Sequence, residues 1–153
     1  MAQALEILLI EDSPADANLT LEALRDPKIP YTVHVVGDGV AALRFLRCQE
    51  PYPGALRPNI IILDLNLPRI NGKEFLAEIK SDELLLDIPV VVLSGSASPD
   101  DINWAYRNQA ACYIVKPAQL NDYFTAVRAL KELWFHSASF PQQDQKKAAD
   151  RGC

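Results

Sequence analysis

Cysteine is scarce in this sequence, and the few cysteines follow no pattern that binds metal or builds a disulfide framework. Only Cys48, Cys112 and Cys153 occur among 153 residues; they are far apart, and none belongs to a CxxC pair. An odd number of cysteines at such spacings argues against a set of structural disulfides. We therefore expect a reducing, cytoplasmic compartment.

The chain also lacks a cluster of basic residues and a long apolar run. Lysine and arginine number 15 against 20 aspartates and glutamates, which gives a net charge of −5. Without a basic patch, an acidic chain is a poor partner for nucleic acid or for a membrane surface. The first apolar run, residues 7–10, has four residues and lies between acids. We therefore expect neither a signal peptide nor a membrane span.

Short apolar runs and helical patterns alternate along the chain. An apolar run without polar alternation suits a strand buried on both faces of a parallel sheet. The predicted strands are 5–10, 31–36, 60–63, 88–93 and 111–115, each followed by a helical pattern. This alternation predicts an α/β fold, a doubly wound parallel sheet in the flavodoxin-like order 2-1-3-4-5 with five helices. We expect one domain over residues 1–140 and a disordered polar tail over 141–153.

Charged and polar side chains stand where four of these strands end. Glu11 and Asp12 follow the first strand, Asp64 the third, Ser94 the fourth and Lys116 the fifth. Ligands bind at the carboxyl edge of open α/β sheets, and the first and third strands are neighbours in the predicted order. We therefore expect three carboxylates side by side, with a hydroxyl and an ammonium group near them.

Three clustered carboxylates repel one another unless a cation lies between them. Oxygen ligands with open positions suit Mg²⁺, which keeps several waters and shares its site with phosphate. A lysine and a small hydroxyl opposite the metal would complete a cage for phosphoryl oxygens. In that cage Asp64 would act as an oxygen nucleophile and form an aspartyl phosphate.

Taken as a set, these strand ends resemble the receiver domain of two-component response regulators. The resemblance covers about residues 5–135. The segments ILLIEDSPAD, LDLNLPRINGKEFLAEIKSD and CYIVKP are similar to the small single-domain regulators that partner cyanobacterial phytochromes. The resemblance implies that a phytochrome-type histidine kinase transfers a phosphoryl group to Asp64. It further implies output through altered partner binding or self-association.

The same resemblance implies roles for individual residues. Mg²⁺ would be held by Asp12, Asp64 and the backbone carbonyl of Asn66, with Glu11 acting through water. On phosphorylation, the Ser94 hydroxyl would move toward the phosphoryl group, and Tyr113 would turn inward into the vacated space.

Aromatic residues late in the chain predict a contact between two copies. Ala105 and Tyr106 share one face of the fourth helix by helical spacing, and Trp104 is expected to point away from that face. Aromatic side chains are enriched at interfaces. Together with Trp134 and Phe135, Trp104 predicts a homodimer through the fourth and fifth helices and the last strand. The alternative is that side chains of the same chain cover these rings.

Two other functions stay open at this point. A haloacid-dehalogenase-like phosphatase also combines a nucleophilic aspartate with Mg²⁺, but it carries an acid two residues later, where this chain has Asn66. A flavodoxin-like cofactor binder would cradle phosphate in its first loop, where Glu11 and Asp12 would repel it. The favoured interpretation is a phospho-accepting switch, not an enzyme.

Overall fold

The computed structural model describes residues 4–141, and over that range five strands alternate with five helices. The elements are β1 (Leu5–Ile10), α1 (Pro14–Leu24), β2 (Tyr31–Val36), α2 (Gly39–Leu46), β3 (Ile60–Leu63), α3 (Gly72–Lys80), β4 (Val90–Ser94), α4 (Pro99–Arg107), β5 (Cys112–Val115) and α5 (Leu120–Lys131). A π-helical segment, Glu132–Ser137, continues α5. The predicted tail over 141–153 lies, apart from Pro141, outside the described residues.

The strands form one parallel sheet in the order β2-β1-β3-β4-β5, which confirms the predicted topology. β1 and β3 are therefore neighbours at the centre of the sheet. Ile10 pairs with Leu63, so Glu11 and Asp64 leave their strands side by side. The N–H of Asp64 still donates to the Ile10 carbonyl oxygen at 3.0 Å, which carries the strand register into the acidic edge.

Alternate residues of the central strands enter two separate apolar layers. On β1, Leu8 and Ile10 face the layer shared with α2 and α3, whereas Ile7 and Leu9 face the layer shared with α1 and α5. Every residue of β3 and β4 is buried. Because helices cover both faces of the sheet, its central strands are apolar runs without alternation.

The helix boundaries have local causes. The Ser13 hydroxyl caps α1 by accepting the N–H of Asp16 at 3.3 Å, and Pro14 occupies the first helical position. β4 begins two residues later than predicted, because the N–H of Ile88 closes a turn onto the Leu85 carbonyl oxygen. Among residues 4–141 no helix has the length and apolar character needed to traverse a bilayer.

The loop between β3 and α3 closes tightly at Gly72. Its N–H donates to the Leu65 carbonyl oxygen at 2.9 Å. A Cβ atom at this position would overlap the Cα of Leu65 and lie 2.6 Å from the carbonyl oxygen of Asp64. Both are backbone atoms, so a side chain here would have to displace the strand end that carries Asp64.

Replacing Gly72 by alanine is expected to lower the free energy of unfolding by about 1–3 kcal/mol, because the added methyl group overpacks rigid backbone. Urea denaturation measures this change. Gly37→Ala is the matched control, since a Cβ there meets no atom within 4 Å. Its effect should stay within about 0.5 kcal/mol. Equal midpoints for the two variants would contradict the packing role of Gly72.

Candidate functional site

Three carboxylates converge where β1 and β3 end. Oxygens of Glu11, Asp12 and Asp64 all lie within 4.8 Å of one another. Glu11 and Asp64 are buried, whereas Asp12 is exposed. The Oε2 atom of Glu11 is buried and has no hydrogen-bond partner among the described residues. A hard divalent cation would satisfy this oxygen and relieve the repulsion, so the residues present fit Mg²⁺.

Lys116 brings a positive charge into this acidic edge. Its ammonium group lies 2.8 Å from Glu11 Oε1, 2.9 Å from Asp16 Oδ2 and 3.0 Å from Asp64 Oδ2. The backbone N–H of Lys116 donates to the Ser94 carbonyl oxygen at 2.7 Å, which fixes the strand end from which the side chain reaches. An ammonium group has three N–H donors, and here each has a carboxylate partner.

Asp16 is the site residue that the sequence analysis missed. Its place in the first turn of α1 is explained by the helix dipole alone, so it carried no separate signal. The alternation of side chains along β1 supplies a signal that could have identified Asp16. Glu11 continues the alternation of Ile7 and Leu9, whose side chains face α1 and α5. A carboxylate on the first turn of α1 therefore lies on the same side of the sheet as Glu11.

Burial and neighbouring charges shift the pKa values of these groups in different directions. Burial raises the pKa of Glu11 to about 8, and the adjacent Asp64 carboxylate adds to this rise against the opposing effect of Lys116. Burial also disfavours ionised Asp64, but the proximity of Glu11, the Asn66 N–H and Lys116 lowers its pKa overall. Asp64 therefore stays ionised at neutral pH.

The loop from β4 to α4 contacts both residues predicted to switch. Ser94 is fully buried, and its hydroxyl accepts the N–H of Ser96 at 3.4 Å. The hydroxyl of Tyr113, on β5, donates to the Ser96 carbonyl oxygen at 2.8 Å. The Ser96 hydroxyl in turn donates to Asp101 on α4. Ser96 thus connects Ser94, Tyr113 and α4 within one short loop.

A cleft of about 500 Å³ opens beside Asp12. Asn66, Lys73 and Asp101 are among its lining residues, and Lys73 forms an ion pair with Asp101 across it. The N–H of Asn66 donates to Asp64 Oδ1 at 3.0 Å. Asp64 itself is almost covered, so the cleft gives access to the acidic edge from the side of Asp12.

The predicted orientation of α4 is wrong for its aromatic residues. Trp104 packs partly buried against the core, and the ammonium of Lys73 lies 5.7 Å from its ring centroid. Tyr106, predicted to face inward, is 50% exposed. Residues 104 and 106 lie about 100° to either side of Ala105 on a helix, so either can turn inward. In the structure Trp104 is the one that turns inward, with Lys73 of α3 over its ring.

Trp134 and Phe135 pack at the edge of the layer shared with α1 and α5. The ring of Trp134 stacks on Phe140 with centroids 5.8 Å apart, and Phe135 lies 5.4 Å from Tyr31. Side chains of the same chain thus cover part of both rings. Their role in an interface between copies stays a prediction.

Comparison with known proteins identifies the family to which this chain is similar. Residues 7–128 match the response regulator receiver domain. Response regulator Rcp1 of Synechocystis sp. is 42% identical over 135 residues, which are 88% of this chain and 92% of Rcp1. The crystal structure of the phosphorylated cyanobacterial phytochrome response regulator RcpA has a TM-score of 0.88 at 45% identity, covering 92% of this chain and 100% of its own. The crystal structure of the Mn²⁺-bound form of Rcp1 has a TM-score of 0.87 at 42% identity, covering 90% of this chain and 99% of its own.

Similar sequences come from more than one biological setting. The probable methanogenesis regulatory protein FilR2 of Methanothrix harundinacea is 41% identical over 84% of this chain and 82% of its own length. All of these matches are to regulators, and the phosphatase alternative finds no support among them. Receiver domains use Mg²⁺, and the three carboxylates of this edge fit that cofactor.

Asp12→Asn is expected to weaken Mg²⁺ binding by at least roughly tenfold. Removing a residue that only hydrogen-bonds to a metal ligand already lowers metal affinity by about that factor, and a direct ligand should matter no less. Calorimetric titration of the metal-free protein with Mg²⁺ measures the change. Glu83→Gln removes the same charge from an exposed position and should leave the affinity unchanged. Unchanged binding by Asp12→Asn would exclude Asp12 as a ligand.

Proposed function

The chain belongs to the family of response regulator receiver domains, and from this premise we propose that it accepts a phosphoryl group on Asp64 from a histidine kinase. The observation that carries the proposal is the contact of the Lys116 ammonium with Asp64 inside a cluster of acids. In this proposal the protein is a switch whose output is binding, not an enzyme that turns over external substrates.

In the proposed transfer, an oxygen of Asp64 attacks the phosphorus of a phosphohistidine. A P–O bond forms as the P–N bond breaks, and the imidazole leaves with the bonding electron pair. The lowered pKa of Asp64 keeps the attacking carboxylate ionised. Lys116 would donate an N–H to an equatorial phosphoryl oxygen.

Mg²⁺ would be held by Asp12, Asp64 and the Asn66 carbonyl, with Glu11 acting through water, and when bound would supply positive charge to the phosphoryl oxygens. The backbone of Asn66 lies beside the cluster, because its N–H donates to Asp64 Oδ1 at 3.0 Å.

The proposed response to phosphorylation runs through Ser94 and Tyr113. A hydroxyl that moves toward the phosphoryl group would pull on the loop that contains Ser96. That loop now bonds to Tyr113 and Asp101. The expected consequence is a new position of Tyr113 and a shift of α4 relative to β5.

The proposed partner is a phytochrome-type histidine kinase in the cytoplasm. Support comes from RcpA, a cyanobacterial phytochrome response regulator that this chain matches along the whole length of its structure. The bacteriophytochrome response regulator RtBRR matches at 33% identity and a TM-score of 0.72, covering 98% of this chain and 90% of its own. FilR2 has nearly the same sequence identity to this chain as Rcp1, 41% against 42%, so a histidine kinase of a different type is the competing partner.

The proposed self-association uses α4, β5 and α5. In addition to Trp104, Trp134 and Phe135, these elements and the segment after them carry Tyr106, Val115 and Leu133 as exposed apolar residues. The exposed residues are the better candidates for direct contact, because the two tryptophans and Phe135 pack partly on their own chain. A dimer of this kind would offer a second route for output.

Incubation with Mg²⁺ and acetyl phosphate is expected to add the mass of one phosphoryl group to the wild type and none to Asp64→Asn, as read by intact mass spectrometry. Acetate leaves as the acyl phosphate bond breaks. Asp122→Asn, an exposed acid on α5, should be labelled like the wild type. Removing Mg²⁺ should abolish labelling.

The same readout distinguishes the partners when phosphorylated kinases replace acetyl phosphate. Faster transfer from a phytochrome-type kinase than from a kinase of another class would support the proposed partner. If the wild type neither takes up a phosphoryl group nor binds beryllofluoride, the proposed function is wrong.

Tyr106→Glu and Leu133→Glu are each expected to weaken dimerisation by roughly tenfold or more, because a charge buried in an apolar contact costs over 1 kcal/mol. Sedimentation equilibrium at several concentrations measures the association constant. Leu56→Glu is the matched control, as Leu56 is exposed but lies in the loop before β3. An unchanged association constant for both variants, or a monomeric wild type, would contradict the proposed surface.

A further inference from the structure

Asp16 occupies a position that the function proposed above does not require. Its Oδ2 atom lies 2.9 Å from the ammonium of Lys116, yet Asp16 does not belong to the group of three carboxylates that would hold a cation. Its side chain is 39% exposed, whereas that of Lys116 is 13% exposed. Asp16 therefore binds Lys116 from the more exposed side.

The backbone that carries Asp16 is held firmly. Its N–H donates to the Ser13 hydroxyl, and its carbonyl oxygen accepts the hydroxyl of Thr20 at 3.0 Å. Thr20 is buried and lies 2.6 Å from the hydroxyl of Tyr123 on α5. Tyr123 and Asp16 also line a cavity of about 230 Å³ beside Lys116. Helix α1 is thus pinned to α5 at the turn that presents the Asp16 carboxylate.

All three N–H donors of Lys116 are engaged, by Glu11, Asp16 and Asp64. A phosphoryl group on Asp64 would add further oxygens beside this ammonium, which would then have more acceptors around it than N–H donors. Glu11 and Asp64 are the carboxylates that face a cation. Asp16 is the acceptor whose only described side-chain partner is Lys116, so it alone competes without also serving the metal.

We propose that Asp16 shares the Lys116 ammonium with the reaction centre, so that it assists cation binding and opposes retention of the phosphoryl group. The proposal rests on the function proposed above and assigns Asp16 as a positioning residue. By sharing the ammonium, Asp16 leaves Glu11 and Asp64 freer for the cation. By keeping one N–H donor, and by its own negative charge, it works against an incoming phosphoryl dianion.

Asp16→Asn should therefore change two affinities in opposite directions. The dissociation constant for Mg²⁺ alone is expected to rise roughly threefold to fivefold, and that for beryllofluoride at saturating Mg²⁺ to fall by a similar factor, as for a partly exposed ion pair. Calorimetry measures both constants on the full chain. A merely structural loss would weaken both ligands together.

Asp16→Glu and Asp122→Asn are the matched variants. The first keeps the charge and should restore both affinities toward the wild type. The second removes an exposed acid in the first turn of α5, which has no contact with Lys116 among the described residues, and should change neither. Opposite shifts in Asp16→Asn that are absent from both matched variants would support the proposal.

Two kinds of result would overturn the proposal. If the wild type binds beryllofluoride but Asp16→Asn shifts neither affinity, shifts both the same way, or behaves like Asp122→Asn, only the role of Asp16 is wrong. If the wild type binds no beryllofluoride and takes up no phosphoryl group, the proposed function fails together with it.

Discussion

The ammonium of Lys116 holds together carboxylates that would otherwise repel one another. Glu11 and Asp64 are adjacent because β1 and β3 pair in register up to the last residue, not because the two groups attract. Burying like charges costs free energy, and a buried cation offsets that cost. Two further features shape this edge: Gly72 lets the chain turn closely behind Asp64, and Asp12 lies exposed beside the cleft.

The site is connected to the surface through one loop. Ser94 lies at its buried end, Ser96 bonds to both Tyr113 and Asp101, and Asp101 pairs with Lys73. Tyr106, on the exposed side of α4, accepts the N–H of Tyr113 at 3.1 Å. A rearrangement at Ser94 would therefore disturb polar contacts to α3, α4 and β5 that lie within a few residues of it. This arrangement gives a buried chemical event a short route to an exposed aromatic surface.

Much of the fold was predictable because its signals are local. Runs such as residues 60–63 are apolar at every position, a pattern that favours a strand covered on both faces, and their order along the chain left few topologies. The strand ends then identified Glu11, Asp64 and Lys116. The exposed face of α4 was not predictable in this way. Ala105 has an aromatic residue on either side, and the apolar pattern of a nine-residue helix is too short to show which of the two faces the core.

The amino-acid sequence alone placed the strand ends, because apolar runs and the breakers after them are encoded over a few neighbouring positions. It also determined the family, because those strand ends are specific as a set. The folded chain was needed to show that Asp16 shares Lys116 with the site, and that Trp104 lies beneath Lys73 while Tyr106 is exposed. Those contacts depend on how each helix is rotated and docked on the sheet, which side chains distant in sequence determine together.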